Sequence, residues 1–218
     1  MLTGLPGAGK TFNVRTFVDQ WEKKQRFHAK QSPSPGGCAW LESDDASVVV
    51  LGKWSGYHYD RSIGQTKDAE AGRAKPAYVP YVPGGDGTDQ LGGPPAPTSE
   101  LIASCIEAVA APRRRNGKAG LVVADGLLFL LSDLFVEAMA ASGFEVLIRE
   151  LDVDEETAEA RRAQRDGENT RWECDEMCEM LFRSMRMRPQ WARLAEDGAV
   201  PLMLELAESA QVDGRIRE

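Results

Sequence analysis

This chain of 218 residues has few histidines and cysteines, the side chains that form zinc sites and disulfide bonds. There are only two histidines, His28 and His58, and both lie far from the cysteines along the chain. The four cysteines, none of which form a C-x-x-C pair, are Cys38, Cys105, Cys174 and Cys178. This spacing argues against a zinc site. Reduced thiols in a cytoplasmic protein are therefore the expectation.

The chain also has fewer basic than acidic residues. The chain has 26 lysines and arginines against 34 acidic residues, and its formal net charge is −8. An extended nucleic-acid surface or an anionic membrane surface would require a basic face, so we expect neither partner. No apolar run approaches the ~20 residues of a membrane span, and no basic-then-apolar signal pattern opens the chain. A single phosphorylated ligand stays compatible with this composition, because it needs only a small basic pocket.

The chain does contain a phosphate-binding motif at its start, with the full spacing G-x-x-x-x-G-K-S/T. Its residues are Gly4, Leu5, Pro6, Gly7, Ala8, Gly9, Lys10 and Thr11. The glycines allow backbone conformations in which successive N–H groups point at phosphate oxygens. Lys10 can reach the β- and γ-phosphates of ATP, and the Thr11 hydroxyl can ligate Mg²⁺. Residues 11–25 then read as a helix whose N-terminal dipole faces the anion.

The segment before this motif is unusually short. Such a loop normally follows a buried strand of about five residues, and here only Met1, Leu2 and Thr3 precede Gly4. Either the strand is very short or the sequence lacks its true start. We favour the second alternative, because this strand usually lies in the middle of the sheet, where a missing segment would leave its neighbours unpaired.

Alternating strand and helix patterns indicate one α/β domain over residues 1–218. Strands are predicted at 38–41, 47–51, 121–124 and 144–151, with a helical turn as the alternative for 47–51. Helices are predicted at 99–111, 133–142, 155–166 and 172–187. Residues 52–99 are rich in proline and glycine, which predicts a lid or a disordered insertion between two core halves, 1–51 and 100–218. With a phosphate loop at its head, this order implies a three-layer α/β/α fold of the phosphate-loop NTPase type. Its sheet is expected to be mostly parallel, with a truncated first strand.

Carboxylates follow two of the predicted strands. Asp125 comes directly after an apolar run, where carboxylates that organise Mg²⁺ sit in phosphate-loop proteins; a simple turn is the alternative. Asp44 and Asp45 end the second predicted strand, and we expect them at the same carboxyl edge of the sheet as the phosphate loop. One of them would accept the proton of an attacking hydroxyl group. Helix capping or a solvated acidic turn is the alternative for this pair.

Arginines cluster on the helix predicted after residue 154. Arg161, Arg162 and Arg165 are spaced so that they can share a helix face. In a lid near residues 160–171, we expect Arg162 and Arg165 to neutralise charge on a transferring phosphoryl group. The alternative is a solvated face paired with the glutamates at the start of the same helix.

Taken in order, these motifs resemble those of the phosphate-loop kinases related to adenylate kinase, including zeta-toxin-like, small-molecule and nucleotide kinases. The likeness rests on 4–11, on the acidic strand end 41–45, on 122–126, and on the strand 147–152 with the arginine-bearing helix after it. Two further elements, Gly52-Lys53 and the run Gly-Thr-Asp-Gln-Leu at 87–91, are similar to those of uncharacterised phage and bacterial phosphate-loop proteins. The resemblance implies Mg²⁺-dependent transfer of the ATP γ-phosphate to a small-molecule or nucleotide acceptor, which the sequence does not identify.

Two other functions fit the same loop. The first is a P-loop ATPase or NTP-dependent switch, although the chain has no Asn-Lys-x-Asp guanine reader and no Ser-Gly-Gly signature. Asp125 is also followed by Gly126 and not by the glutamate that is usual in hydrolysing ATPases. The second is a truncated, non-catalytic nucleotide-binding remnant.

Overall fold

A computed structural model describes residues 1–5, 7–31, 39–51, 53–55, 77–79, 106, 109, 120–124, 133–166 and 182–216. The strands are β1 (Leu2–Thr3), β2 (Phe27–Gln31), β3 (Ala39–Ser43), β4 (Val48–Leu51), β5 (Lys53–Ser55), β6 (Ala77–Val79), β7 (Leu121–Val123), β8 (Ile148–Asp152) and β9 (Trp191–Ala195). The helices are α1 (Lys10–Trp21), α2 (Asp133–Ala141), α3 (Glu155–Asp166) and α4 (Ala199–Ile216), and a 3₁₀ turn covers Glu196–Gly198. The chain is therefore an α/β protein. Among the described helices, none is both long and apolar enough to cross a membrane.

The short first strand, β1, lies next to strands that form parallel pairs. β8 pairs in parallel with β1 on one side and with β9 on the other, and β4 pairs in parallel with β7. A backbone hydrogen bond of 2.9 Å from the Leu2 N–H to the Ala124 carbonyl links β1 to the end of β7. This bond joins the two groups of strands, so that β1 lies between β7 and β8.

The other end of the sheet is antiparallel. β3 pairs in antiparallel fashion with both β2 and β4. The physical reason is the short connection, because parallel neighbours need a crossover of about a dozen residues or more. Only residues 44–47 separate β3 from β4, in a turn where Ala46 has a φ of 57°. The expectation of a mostly parallel sheet is thus right for β4 with β7 and for β1 with β8 and β9, and wrong for β2 and β3.

Helices cover both faces of these strands. Successive residues of β4 point alternately to two hydrophobic clusters, as the two-residue period of a strand requires. Val48 and Val50 belong to the cluster that includes Phe17 of α1 and Met203 of α4. Val49 and Leu51 belong to the cluster on the opposite face, together with the buried side chains of α2. The central strands are therefore buried on both sides.

Local signals in the sequence predict α2 and α3 well. The Asp154 carboxylate accepts a 2.7 Å hydrogen bond from the Thr157 N–H and caps α3, and Gly143 has a φ of 87° just after α2. The sequence did not predict β2 or β9. In the proline- and glycine-rich stretch only 53–55 and 77–79 are described, where β5 and β6 form an antiparallel pair. The predicted lid is described as far as Asp166.

Candidate phosphate-binding site

The loop between β1 and α1 has an unusual backbone conformation. Gly4, Gly7 and Gly9 have φ values of 140°, 90° and 86°, which residues other than glycine rarely adopt. Gly9 is the N-cap of α1, and no side chain caps the helix there. The first turn of a helix carries N–H groups without partners inside the helix and a partial positive charge, which together favour anions. The loop therefore has the backbone conformation that a phosphate-binding nest needs.

Two of these glycines also lie in crowded places. A Cβ atom on Gly4 would lie 3.4 Å from the Cβ atoms of Ala8 and Leu151. A Cβ atom on Gly9 would lie only 2.7 Å from Oε1 of Glu196, which is too close for any real contact. The backbone therefore favours glycine at Gly9, and a Cβ there would in addition have to displace the Glu196 carboxylate.

Lys10 folds back over the loop. Its Nζ atom donates hydrogen bonds of 2.9 Å to the carbonyl oxygens of both Gly4 and Leu5. The ammonium group is thus held against the first half of the loop and carries a positive charge to it. Thr11 lies in the first turn of α1, and Pro6 lies outside the described residues.

The strands beside β1 place this loop where α/β proteins commonly bind ligands. The chain continues from β1 into α1, and two later strands lie on either side of β1: β7 on one side and β8 on the other. Ligands bind at the carboxyl ends of strands where the connections diverge in this way. Ala124, at the end of β7, is buried next to Leu2. Asp125 follows it in the sequence but lies outside the described residues, so its magnesium role stays a prediction.

The structure separates Asp44 and Asp45 from the loop. β3 runs antiparallel to β4, and β4 is parallel to β7, so the carboxyl end of β3 lies at the edge where β7 begins. At that edge the Leu121 N–H donates a 2.8 Å hydrogen bond to the Ser47 carbonyl. Asp44 pairs with Nε2 of His28 and is exposed. The predicted position of this acidic pair at the edge of the phosphate loop is therefore wrong, because it assumed a parallel β3.

Asp45 organises a turn instead. Its Oδ1 atom accepts hydrogen bonds from the Ser43 hydroxyl (2.8 Å), the Ser47 N–H (2.9 Å) and the Ser47 hydroxyl (2.6 Å). Its Oδ2 atom accepts hydrogen bonds from the side-chain amides of Gln25 (2.7 Å) and Gln211 (3.1 Å). Burial alone would raise the pKa of Asp45, but the hydrogen bonds outweigh it and hold this pKa well below its ordinary value.

An arginine of α3 lies next to the loop, but it is not one of the two that the sequence favoured. The Arg161 guanidinium donates two hydrogen bonds to Glu196, of 2.8 and 3.0 Å. Its Nη1 atom lies 3.6 Å from the point that a Cβ on Gly9 would occupy. The side chains of Arg162 and Arg165 lie outside what the structure describes. Glu196 gave no signal in the sequence, because the strand before it was not predicted.

A buried carboxylate lies on the other side of the loop. Glu150 of β8 is 5% exposed and accepts hydrogen bonds from Arg186, through Nε (2.9 Å) and Nη2, and from Trp191 through Nε1 (2.9 Å). Burial would raise the pKa of Glu150, but these hydrogen bonds and the charge of Arg186 lower it. Glu150 and Arg186 line a small cavity of about 90 Å³ together with Leu5 of the loop. The strand that holds Glu150, Ile-Arg-Glu-Leu-Asp, contains three charged residues, and nothing in its sequence singled out Glu150 as the buried one.

A wider, open cavity of about 430 Å³ lies beside the first turn of α1. It is lined by Phe12, Asn13, Glu196 and Asp197. Phe12 is 69% exposed, which is high for a large apolar side chain, whereas Asn13 is buried and donates a 3.1 Å hydrogen bond to the Gly9 carbonyl. The cavity thus joins an aromatic surface to the end of the loop.

Comparisons with known proteins leave the function to be inferred from these residues. The chain matches no protein-family model, no curated protein and no solved structure. Within the described part of the chain, no group of three or more histidine, cysteine or acidic side chains could hold a metal ion by itself.

Proposed function

We propose that this chain is an ATP-binding phosphotransferase with a kinase-type phosphate-loop NTPase fold. In this proposal it moves the γ-phosphate of ATP to a small-molecule or nucleotide acceptor in the cytoplasm, in a reaction that needs Mg²⁺. The observation that carries the proposal is the loop itself, which joins a central strand to a helix through three glycines at positive φ. The motif spacing in the sequence and the backbone conformation in the structure support the same ligand.

The loop residues would bind the triphosphate. The amides of Gly7, Gly9 and the first turn of α1 would donate hydrogen bonds to phosphate oxygens. Lys10 now donates to two loop carbonyls, Gly4 and Leu5. A phosphate group that enters the loop would offer this ammonium a charged acceptor, which makes a stronger hydrogen bond than a neutral carbonyl.

The residues that would hold Mg²⁺ are Thr11 and Asp125. A hydroxyl group and a carboxylate are oxygen ligands of the kind that Mg²⁺ takes, and it usually keeps several waters besides. When bound, Mg²⁺ would neutralise charge on the β- and γ-phosphates. Thr11 lies in the first turn of α1, directly after the loop lysine, which fits this role.

The remaining chemistry is mainly electrostatic. Phosphoryl transfer proceeds through a loose transition state, so correct positioning and neutralised charge contribute more than a strong general base. Arg162 and Arg165 remain proposed for charge neutralisation. Asp44 and Asp45 are no longer proposed as the base, since they lie at the far edge of the sheet. The open cavity beside Phe12 offers room for the base and ribose of the nucleotide.

The test is to titrate the protein with Mg·ATP by isothermal calorimetry and compare two lysine variants. Lys10→Ala should abolish measurable binding, because the loop would lose its fixed positive charge. Lys23→Ala is the matched control: this lysine is exposed beyond the far end of α1, and its loss should leave the affinity unchanged. Equal affinities of Lys10→Ala and the unmodified protein would refute the proposal. A screen of radiolabelled γ-phosphate transfer to nucleosides, nucleotides, sugars and RNA ends would then identify the acceptor.

A further inference from the structure

The ion pair between Arg161 and Glu196 lies against the phosphate loop. It joins α3 to the 3₁₀ turn after β9, and both of its residues are within reach of Gly9. Glu196 Oε1 is so close to the Gly9 backbone that no Cβ fits between them. Both side chains are partly exposed, by 41% for Arg161 and 33% for Glu196, so a ligand can reach them.

Arg161 keeps hydrogen-bonding capacity beyond this pair. A guanidinium group carries five N–H bonds in a rigid fork, and Glu196 accepts two hydrogen bonds from it. The other N–H bonds can serve a second acceptor, and guanidinium groups match phosphate oxygens well. The loop beside Arg161 is the place where this protein would hold such an acceptor.

Glu196 by itself would oppose a phosphate ligand. A carboxylate within a few ångströms of a phosphate group repels it by roughly 1 kcal/mol or more, even in a well-screened surface environment. Arg161 neutralises this negative charge beside the loop. Arg161 therefore attracts a phosphate group and Glu196 repels it. The effect of Glu196 on the affinity for phosphate depends on whether Arg161 is present.

We propose that Arg161 contacts a phosphate group of the bound nucleotide and that Glu196 is a positioning residue that holds the Arg161 guanidinium against Gly9. This inference rests on the proposed nucleotide-binding function. It makes a prediction about sign: Glu196 strengthens phosphate binding while Arg161 is present and weakens it when Arg161 is absent.

A double-mutant cycle tests whether the effect of Glu196 on Mg·ATP affinity reverses when Arg161 is replaced. The affinities of the full chain for Mg·ATP and for adenosine are measured by calorimetry for Arg161→Met, Glu196→Gln and the double variant. Arg161→Met should weaken Mg·ATP binding at least about tenfold, as for a lost charged hydrogen bond with an unpaired carboxylate left behind. Glu196→Gln should weaken it by about threefold, because the amide oxygen still accepts one hydrogen bond. The double variant should bind Mg·ATP more tightly than Arg161→Met, and Arg161→Lys should recover part of the loss.

Two controls separate this role from a structural one. Adenosine lacks phosphate, so Arg161→Met should leave its affinity unchanged. Glu196 also lines the cavity proposed for the base and ribose, so the effect of Glu196→Gln on the phosphate groups is the change in Mg·ATP affinity beyond the change in adenosine affinity. Lys24 and Glu208 form another surface ion pair, between the far end of α1 and α4. Lys24→Met and Glu208→Gln make the same charge changes there and should leave Mg·ATP binding unaltered.

The outcomes are distinct. If the unmodified protein gives no heat with Mg·ATP, the proposed function fails and this inference fails with it. If the unmodified protein binds but Arg161→Met binds equally well, only the inference is overturned. It is also overturned if Glu196→Gln weakens binding further in the Arg161→Met background, or if both variants weaken ATP and adenosine alike while lowering the melting temperature.

Discussion

Replacing Gly9 by alanine should distort the phosphate loop in a way that can be measured against a matched glycine. Gly9 and Gly143 have nearly the same φ values, 86° and 87°. They differ in their surroundings. A Cβ on Gly143 would meet nothing within 4 Å, whereas a Cβ on Gly9 would lie 2.7 Å from Glu196 Oε1. The pair therefore separates backbone strain from crowding.

The magnitudes follow from these two terms. A left-handed conformation costs a residue with a Cβ about 1–2 kcal/mol, and the lower entropy of unfolded alanine offsets roughly 0.4–1 kcal/mol of that. Gly143→Ala should therefore lower the free energy of unfolding by about 1 kcal/mol. Gly9→Ala must also displace Glu196 and break its exposed pair with Arg161, which is worth up to about 1 kcal/mol. We expect a total loss of about 2 kcal/mol for Gly9→Ala.

Urea unfolding followed by circular dichroism measures both variants, and calorimetry with Mg·ATP measures the ligand site. Gly143→Ala should bind Mg·ATP as the unmodified protein does, and Gly9→Ala should bind at least tenfold more weakly. In a Glu196→Ala background the crowding is removed, so Gly9→Ala should then lose only about as much stability as Gly143→Ala. Equal losses in the original background, within the ~0.5 kcal/mol error of such comparisons, would refute the argument that Glu196 crowds Gly9.

Three further predictions concern the residues around the site. The lowered pKa of Asp45 means that its carboxylate stabilises the fold fully above the unfolded-state pKa of about 3.9 and loses this contribution as the pH falls. Asp45→Asn should therefore flatten the pH dependence of the melting temperature between about pH 5 and pH 3 and leave Mg·ATP binding unchanged; an unaltered pH profile would contradict the assignment. Phe12→Ala should weaken ATP and adenosine binding by several-fold with a stability change within about 0.5 kcal/mol, since Phe12 is mostly exposed; loss of stability without loss of affinity would show that Phe12 packs rather than binds. Glu150→Ala should lower the free energy of unfolding by roughly 1–2 kcal/mol, because the Trp191 N–H and the Arg186 guanidinium, which is 43% exposed, lose their shared acceptor; Glu205→Ala, on the exposed face of α4, should change it by less than about 0.5 kcal/mol.

Sequence reasoning succeeded where the signal was local. The motif that begins at Gly4 requires positive φ at its glycines, and the structure has it there. The Asp154 cap and the stop at Gly143 are likewise set by hydrogen bonds and backbone freedom within a few residues. These features depend on neighbours in the chain and so can be predicted without knowledge of the fold.

The errors came from strand direction and distant contacts. The prediction for Asp44 and Asp45 assumed that β3 runs parallel to β1, although residues 44–47 are too few for a parallel crossover. That length was visible in the sequence and should have predicted a hairpin. Glu196 is different, since it meets Arg161 across 35 residues of sequence and follows a strand whose pattern, Trp-Ala-Arg-Leu-Ala, has only a weak alternation. No local rule predicts that contact.

The hydrogen bonds of Asp45 have a consequence at the other end of α1. Gln25, which follows the last turn of this helix, and Gln211 of α4 are both held by the same carboxylate. The helix that begins at Lys10 is thereby anchored about 18 Å from its first turn, and its buried face packs against the strands along the way. An anion that reaches the loop meets N–H groups whose directions are already fixed, so association would lose little conformational entropy. Because the buried face of α1 holds the helix along its whole length, loss of the acidic turn alone should leave the affinity for a simple probe such as inorganic pyrophosphate unchanged as long as the protein stays folded.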